Sequence, residues 1–178
     1  MLIINLEAVL QFTEIMEHLI TANEWRTLVR ATSNHIDEDE VDKFIEECED
    51  IFIVPAIGVN LWEELLDGKH EDLADGCTWV SSCGEKKVTK GLKTALAYFV
   101  YAKVARNNGA IINRSGFMQH TDEYAQRLED KQSVNRYNDI MSIAETYLSG
   151  CLMYIKDNLK TCITKPRGKR TTIKAIGD

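Results

Sequence analysis

Seven residues toward the end of the chain, Val134, Tyr137, Met141, Ala144, Leu148, Cys151 and Ile155, follow one another at steps of 3, 4, 3, 4, 3 and 4 without a slip. Only a helix places such positions along one line, and a stripe that long has to be covered by a long partner. The partner is in the sequence. Leu92, Ala95, Leu96, Tyr98, Phe99, Val100, Ala102, Val104 and Ala105 leave almost no polar surface on a second helix, which Thr89 can open and Asn107-Asn108-Gly109 can close. A helix apolar nearly all round belongs at the centre of a fold. Pro55 and Pro166 are the only prolines, so little interrupts helical runs elsewhere.

Shorter helices precede this pair. Asn5 can cap a first one carrying Leu6, Val9, Leu10, Met16, Leu19 and Ile20, and Asn23 a second with Trp25, Leu28 and Val29 inward. Asp37 and Glu40 have capping-box spacing, and Ile36 and Val41 have the spacing of a hydrophobic staple. The helix they start buries Val41, Phe44, Ile45, Cys48 and Phe52 and is expected to stop at Val54, because Pro55 disfavours the helical conformation there. Gly58 marks a bend, Leu61, Trp62, Leu65 and Leu66 form an apolar stripe, and Gly68 can end that helix in a C-cap. The stretch from Lys69 to Val88 reads as one short helical turn and an exposed loop, and residues 110–120 admit a short hairpin or an extended loop. If unbroken from Asp122 to Leu159 the last helix would reach roughly 55 Å, so it either protrudes or breaks near Lys131–Ser133. The expected fold class is all-α: a bundle of five or six helices over residues 1–160, followed by an extended basic tail over 161–178.

Charge separates these two parts. From Lys156 to Asp178 there are seven basic and two acidic residues, a charge of +5 within a total of −7, which leaves −12 on the other 155 residues. Such asymmetry marks an interaction segment. The tail admits three readings: a solubilising end, a nucleic-acid contact with no aromatic to stack on bases, and a segment that docks on a partner. Docking ranks first, because Thr171–Ile176 is β-prone and can add to a sheet edge.

Chemistry is sparse. No phosphate loop, HExxH helix, EF-hand loop or nucleophile elbow occurs, and His18, His35, His70 and His120 fall at helix ends, loops or charged faces. Nine carboxylates between Asp37 and Asp50 with only Lys43 among them read first as a solvated helix face, since a two-metal site needs carboxylates converging from different elements. A further reading is a negative wall along which DNA passes without sticking. The five cysteines, odd in number, suit a reduced compartment; Cys77 and Cys83 with His70 lack a fourth zinc ligand. The longest apolar run, Ala95–Ala102, is too short for a membrane span, and the N-terminus lacks the basic region and cleavage site of a signal peptide. No enzymatic activity, metal or cofactor is expected.

The order of parts, from the helix Asp37-x-x-x-Val41-x-x-x-Ile45 with Cys48, through IVPAIGVNLWEELL and ALAYFVYAKVARNNG to a Gly-containing loop, long helix and tail, resembles the small head-tail connector (adaptor, or head-completion) proteins of tailed bacteriophages. The Pro-x-Ile-Gly bend at Pro55 to Gly58 and the Ala/Tyr-rich helix at 95–105 are similar to those of connector-like proteins in phages and prophages of Bacteroidetes. The resemblance implies a homo-oligomeric ring, commonly of twelve copies, beneath the portal protein at the capsid vertex. Such a ring is assembled in the host cytoplasm, carried into the virion, extends the DNA channel and offers a platform to a tail or neck protein. On that basis Lys165, Arg167, Lys169, Arg170 and Ile173 are the candidates for portal docking. Asp37, Glu38, Asp39 and Asp42 are the candidates for the acidic channel face. The alternative is a small nucleic-acid-binding or regulatory protein that uses its basic tail.

Overall fold

A computed structural model gives the fold and describes residues 18–30, 36–107, 110–113, 116–119 and 130–159, of which 110–113, 116–119 and 130–133 are described by backbone alone. The helix expected after Asn5 and the basic tail lie outside the described residues. Among those described, the chain order is α1 (Ala22–Leu28), α2 (Glu38–Cys48), a π-helical turn (Glu49–Ile53), α3 (Val54–Ile57), α4 (Val59–Leu66), α5 (Glu71–Asp75), a hairpin of β1 (Thr78–Val80) and β2 (Lys86–Val88), α6 (Leu92–Asn107), a hairpin of β3 (Ala110–Asn113) and β4 (Gly116–Gln119), α7 (Asp130–Tyr154) and a second π-helical turn (Ile155–Leu159). The fold is mostly helical, as expected, with α3 and α5 little more than single turns.

α6 is the axis. Leu92, Ala95, Leu96, Ala97, Phe99, Val100, Tyr101, Ala102 and Val104 are all buried, which a helix apolar on every side requires. α7 runs antiparallel along it. Thr89 Oγ1, just before α6, lies 3.1 Å from Cys151 Sγ. Further along, Tyr98 meets the Tyr147 ring edge-on at 5.2 Å, and the Arg106 guanidinium sits 5.1 Å over the Tyr137 ring. The β3–β4 hairpin, paired from Ala110↔Gln119 to Asn113↔Gly116, lies between the two helices in the chain and is the hairpin of the two readings that residues 110–120 admit. Ala144 and Cys151 on α7 and Ile155 at the start of the π turn after it are fully buried, whereas Val134 at the head of the predicted stripe is exposed and Ile140 is buried instead. An ideal α-helix drifts by about 20° per heptad against a strict 3-4 repeat, so a straight partner cannot cover both ends of that stripe. The described helix starts at Asp130 and is continuous through Lys131–Ser133, and the stretch from Asp122 to Glu129 lies outside the described residues.

On the other flank of α6, α1 and α2 pack against it. Trp25, fully buried, donates its indole N–H to the Ala97 carbonyl at 3.0 Å. α1 is capped by Thr21 in a reciprocal box with Glu24, not by Asn23. α2 begins at Asp37 as expected, although the Asp37 carboxylate accepts from the Asp39 amide (3.2 Å) and the box with Glu40 is not made. Val41, Ile45 and Cys48 are buried, and Phe52 stacks flat on Phe99 with ring centroids 4.4 Å apart.

The largest correction concerns Pro55. Val54 is helical (φ −55°, ψ −45°), and the chain runs through Pro55 to Ile57. The wider π turn absorbs the conflict: the Val54 amide bonds back to the Glu49 carbonyl, and Pro55, inside the first turn of α3, gives up a donor that the new register does not use. The break comes at Gly58, whose φ of +87° suits glycine. At the end of α4, Gly68 donates to the Leu65 carbonyl and Lys69 to Glu64, the paired bonds of the expected glycine C-cap.

Between Lys69 and Val88 the short helix α5 was expected; the hairpin was not. Its inward residue Trp79 meets the Tyr154 ring edge-on at 5.3 Å and donates to Asp157 Oδ2 at 3.1 Å, so it is pinned to the far end of α7. Gly76 and Gly91 cross backbone to backbone at its base, where a Cβ on Gly91 would stand 2.5 Å from the Asp75 carbonyl carbon. Apart from Trp79 and Ala95, the buried apolar residues from Leu19 to Ile155 form one contiguous cluster.

Candidate assembly surface

The carboxylates of α2 fall on the sides that its buried stripe leaves free. Asp37, Glu38, Asp39, Glu40 and Asp42 are all exposed, and the first four stand at the positive end of the helix dipole, which favours them there. Glu38 accepts from Arg26 Nη1 at 2.9 Å while Arg26 Nη2 donates to the Ile36 carbonyl at 2.9 Å, fastening α1 to the start of α2. Asp39 and Asp42 make no ion pair with another described residue. Thus the four residues assigned to a channel face share one exposed helical segment whose opposite face is locked in the core. They do not converge with carboxylates of other elements, and among the described residues no group of three or more His, Cys, Asp or Glu side chains is placed to hold a metal.

One member of the acidic run departs from the solvated-face reading. Glu49 is buried, its Oε1 accepting from the Leu19 amide at 2.8 Å and its Oε2 lying 2.9 Å from His18 Nδ1. Burial pushes its carboxyl above the ordinary value, opposed by the bonds from His18 and Leu19. The signal was present: position 49 stands four residues after Ile45 and eight after Val41, on the inward line. His18, one of the histidines at helix ends, loops or charged faces in the sequence, is the partner. Nearby, Lys103 Nζ pairs with Glu47 Oε1 at 2.6 Å and ties α2 to α6.

Three of the four described thiols are poorly placed for chemistry. Burial pushes Cys48 up to about 12 and Cys151 to about 11, and raises Cys77 as well, so none is a ready thiolate. Cys83 is exposed in the turn of the β1–β2 hairpin. His70, in the left-handed region at φ 59°, pairs with Glu64 at 2.8 Å rather than with a cysteine. Among the described residues no helix is long and apolar enough to cross a membrane. Lys165, Arg167, Lys169, Arg170 and Ile173 lie outside the described residues. The last described residue before them, Leu159, closes the second π-helical turn two residues after Asp157, the partner of Trp79.

The fold and this surface therefore define a mostly helical bundle with an acidic, rigidly mounted exterior. Residues 53–165 match the model of a family of unknown function, DUF6712, and the chain belongs to that family. No curated protein and no solved structure matches the chain.

Proposed function

We propose that the protein is a head-tail connector of a tailed bacteriophage, a structural subunit that assembles as a ring between the portal and the tail or neck and extends the DNA channel. The observation that carries this reading is the exposed acidic segment Asp37 to Asp42 of α2, held in place by a fully buried opposite face. A duplex moving along such a wall meets like charge, which prevents adhesion to its phosphates. The basic residues Lys165, Arg167, Lys169 and Arg170, with Ile173, are assigned to portal docking. They belong to a segment separate from the acidic body, and the portal is where cations and a β-prone strand would find partners. In this reading the chain is not an enzyme and DNA is passed rather than bound.

The test mixes the full chain with the portal protein encoded nearby in its own source genome, sediments the mixture and images it by negative-stain electron microscopy. A ring added coaxially to the portal, and lost on deletion of residues 163–178, is the expected result. No association at low or moderate salt, with no ring at high concentration, overturns the proposal. Salt-sensitive binding to arbitrary duplexes through the same tail would then favour the nucleic-acid reading.

A further inference from the structure

Among the described residues, two apolar patches that face solvent have charged rims of opposite sign. The first follows the π turn into α3 and α4. Ile51 is 51% exposed, Pro55 is exposed four residues on, on the same helical face, and Val59, the first residue of α4 after the Gly58 bend, is 56% exposed. Glu46 and Asp50 precede Ile51 on exposed positions, and Glu63 follows Val59 one turn on. None of these three carboxylates has an ion-pair partner among the described residues. The inward side of this ridge is fixed to the core by the Phe52–Phe99 stack.

The second patch is the outward face of the β1–β2 hairpin. Strand alternation turns Trp79 inward and leaves Val80 (61% exposed) and Val88 (63% exposed) outward, diagonal neighbours in the register that pairs Thr78 with Val88 and Val80 with Lys86. Lys86 and Lys90 are exposed at alternate positions on either side of Val88 and have no ion-pair partner among the described residues; Glu85 lies at the turn, beyond the valines. This face is backed by the Trp79–Tyr154 and Trp79–Asp157 contacts, at the other end of the α6–α7 pair from Arg106 and Tyr137.

Large side chains held outward on rigid backbone mark contact surfaces, and here each patch supplies what the other lacks. From this complementarity we infer that the Ile51–Pro55–Val59 ridge of one copy seats on the Val80–Val88 face of a second copy of this chain. Glu46, Asp50 and Glu63 then meet Lys86 and Lys90 around the apolar centre. Because the two surfaces differ, the contact is head-to-tail and continues from copy to copy until it closes. The inference rests on the ring reading for that closure and supplies the subunit contact within it.

Charge reversal tests it. One variant carries Asp50→Lys with Glu63→Lys, the other Lys86→Glu with Lys90→Glu; all four positions are exposed, and circular dichroism verifies that each variant is folded. Each variant alone is expected to associate at least tenfold more weakly than the wild-type chain, whether at high concentration or on the portal. An equimolar mixture regains association, because opposite charges then face each other at every contact of an alternating assembly. A photoreactive residue in place of Val88 is expected to cross-link to residues 46–63 of another copy. Wild-type assembly that neither variant disturbs, with cross-links from Val88 to other segments, overturns this pairing and leaves the connector reading standing. A wild-type chain that associates neither with itself nor on the portal overturns both.

Discussion

Replacing Gly91 with alanine should cost far more than one methyl group usually does. Gly91 sits at φ +86°, where a residue with a Cβ is strained by about 1–2 kcal/mol. It also faces backbone: the added Cβ would fall against the Ala74 carbonyl oxygen, 2.5 Å from the Asp75 carbonyl carbon and 2.6 Å from the Gly76 nitrogen. Backbone atoms cannot swing aside as a flexible side chain does, so relief requires the base of the hairpin to separate from the start of α6, an overpacking cost of about 2–3 kcal/mol. Together these give about 3–5 kcal/mol, or a fall in Tm of about 8–13 °C for a chain of this size. Gly84 is the internal control. It has φ +82° and nothing within 4 Å of a built Cβ, so Gly84→Ala should carry only the conformational part, about 1–2 kcal/mol and about 3–5 °C. Thermal unfolding followed by circular dichroism compares the two directly. Equal shifts for Gly84→Ala and Gly91→Ala would refute the close-approach argument. Gly76→Ala probes the same crossing from the other side, since its Cβ would lie 2.6 Å from the Thr89 oxygen. Combined with Gly91→Ala it should therefore cost less than the sum of the two singles.

Glu49→Gln should be neutral to stabilising at neutral pH, because the amide keeps an acceptor for the Leu19 amide without a buried charge. The folded state raises the Glu49 pKa above 4.5, so it binds the proton more tightly than the unfolded chain, and wild-type stability is lost relative to the Gln variant as pH rises from 4.5 through the raised folded value. Denaturation of both proteins across pH 4 to 8 tests the sign, and a wild type that gains on the variant as pH rises would contradict it. Cys83 should react rapidly with a thiol reagent in the native protein, while Cys48 and Cys151, buried and pushed up to about 12 and about 11, should react only on unfolding. Stopped-flow thiol titration with peptide mapping separates the fast site from the slow ones.

Sequence pattern was sufficient where one local rule governed the outcome. α6 could be recognised because a helix without a polar side has only one place to go, and the glycine C-cap of α4 because Gly68 supplies the positive φ that the motif needs. The exposed carboxylates Asp37 to Asp42 were likewise readable, since the spacing of Val41, Ile45 and Cys48 fixes which sides of α2 remain outside. Local rules failed where distant contacts decided. Pro55 argues for a helix end, but burial of Ile53 and the Phe52–Phe99 stack hold the chain in a helical path that the π turn makes possible. The β1–β2 hairpin has only three residues in each strand, too few to announce itself, and depends on Tyr154 and Asp157, more than 70 residues away in sequence. Glu49 was grouped with its acidic neighbours by composition when its helical phase placed it inside.

The all-round apolar character of α6 has a consequence for biosynthesis. Its partner α7 is encoded after it, and Ile155, the last fully buried of the described residues, is added 48 residues after Asn107. At translation rates of roughly 5–20 residues per second, the flank of α6 that α7 covers stays open for about 2–10 s. The nascent chain therefore carries α6 with one apolar flank uncovered while 48 of its 178 residues are added. Chains interrupted before α7 would display that flank permanently and should be substrates for chaperones and proteases rather than stable fragments.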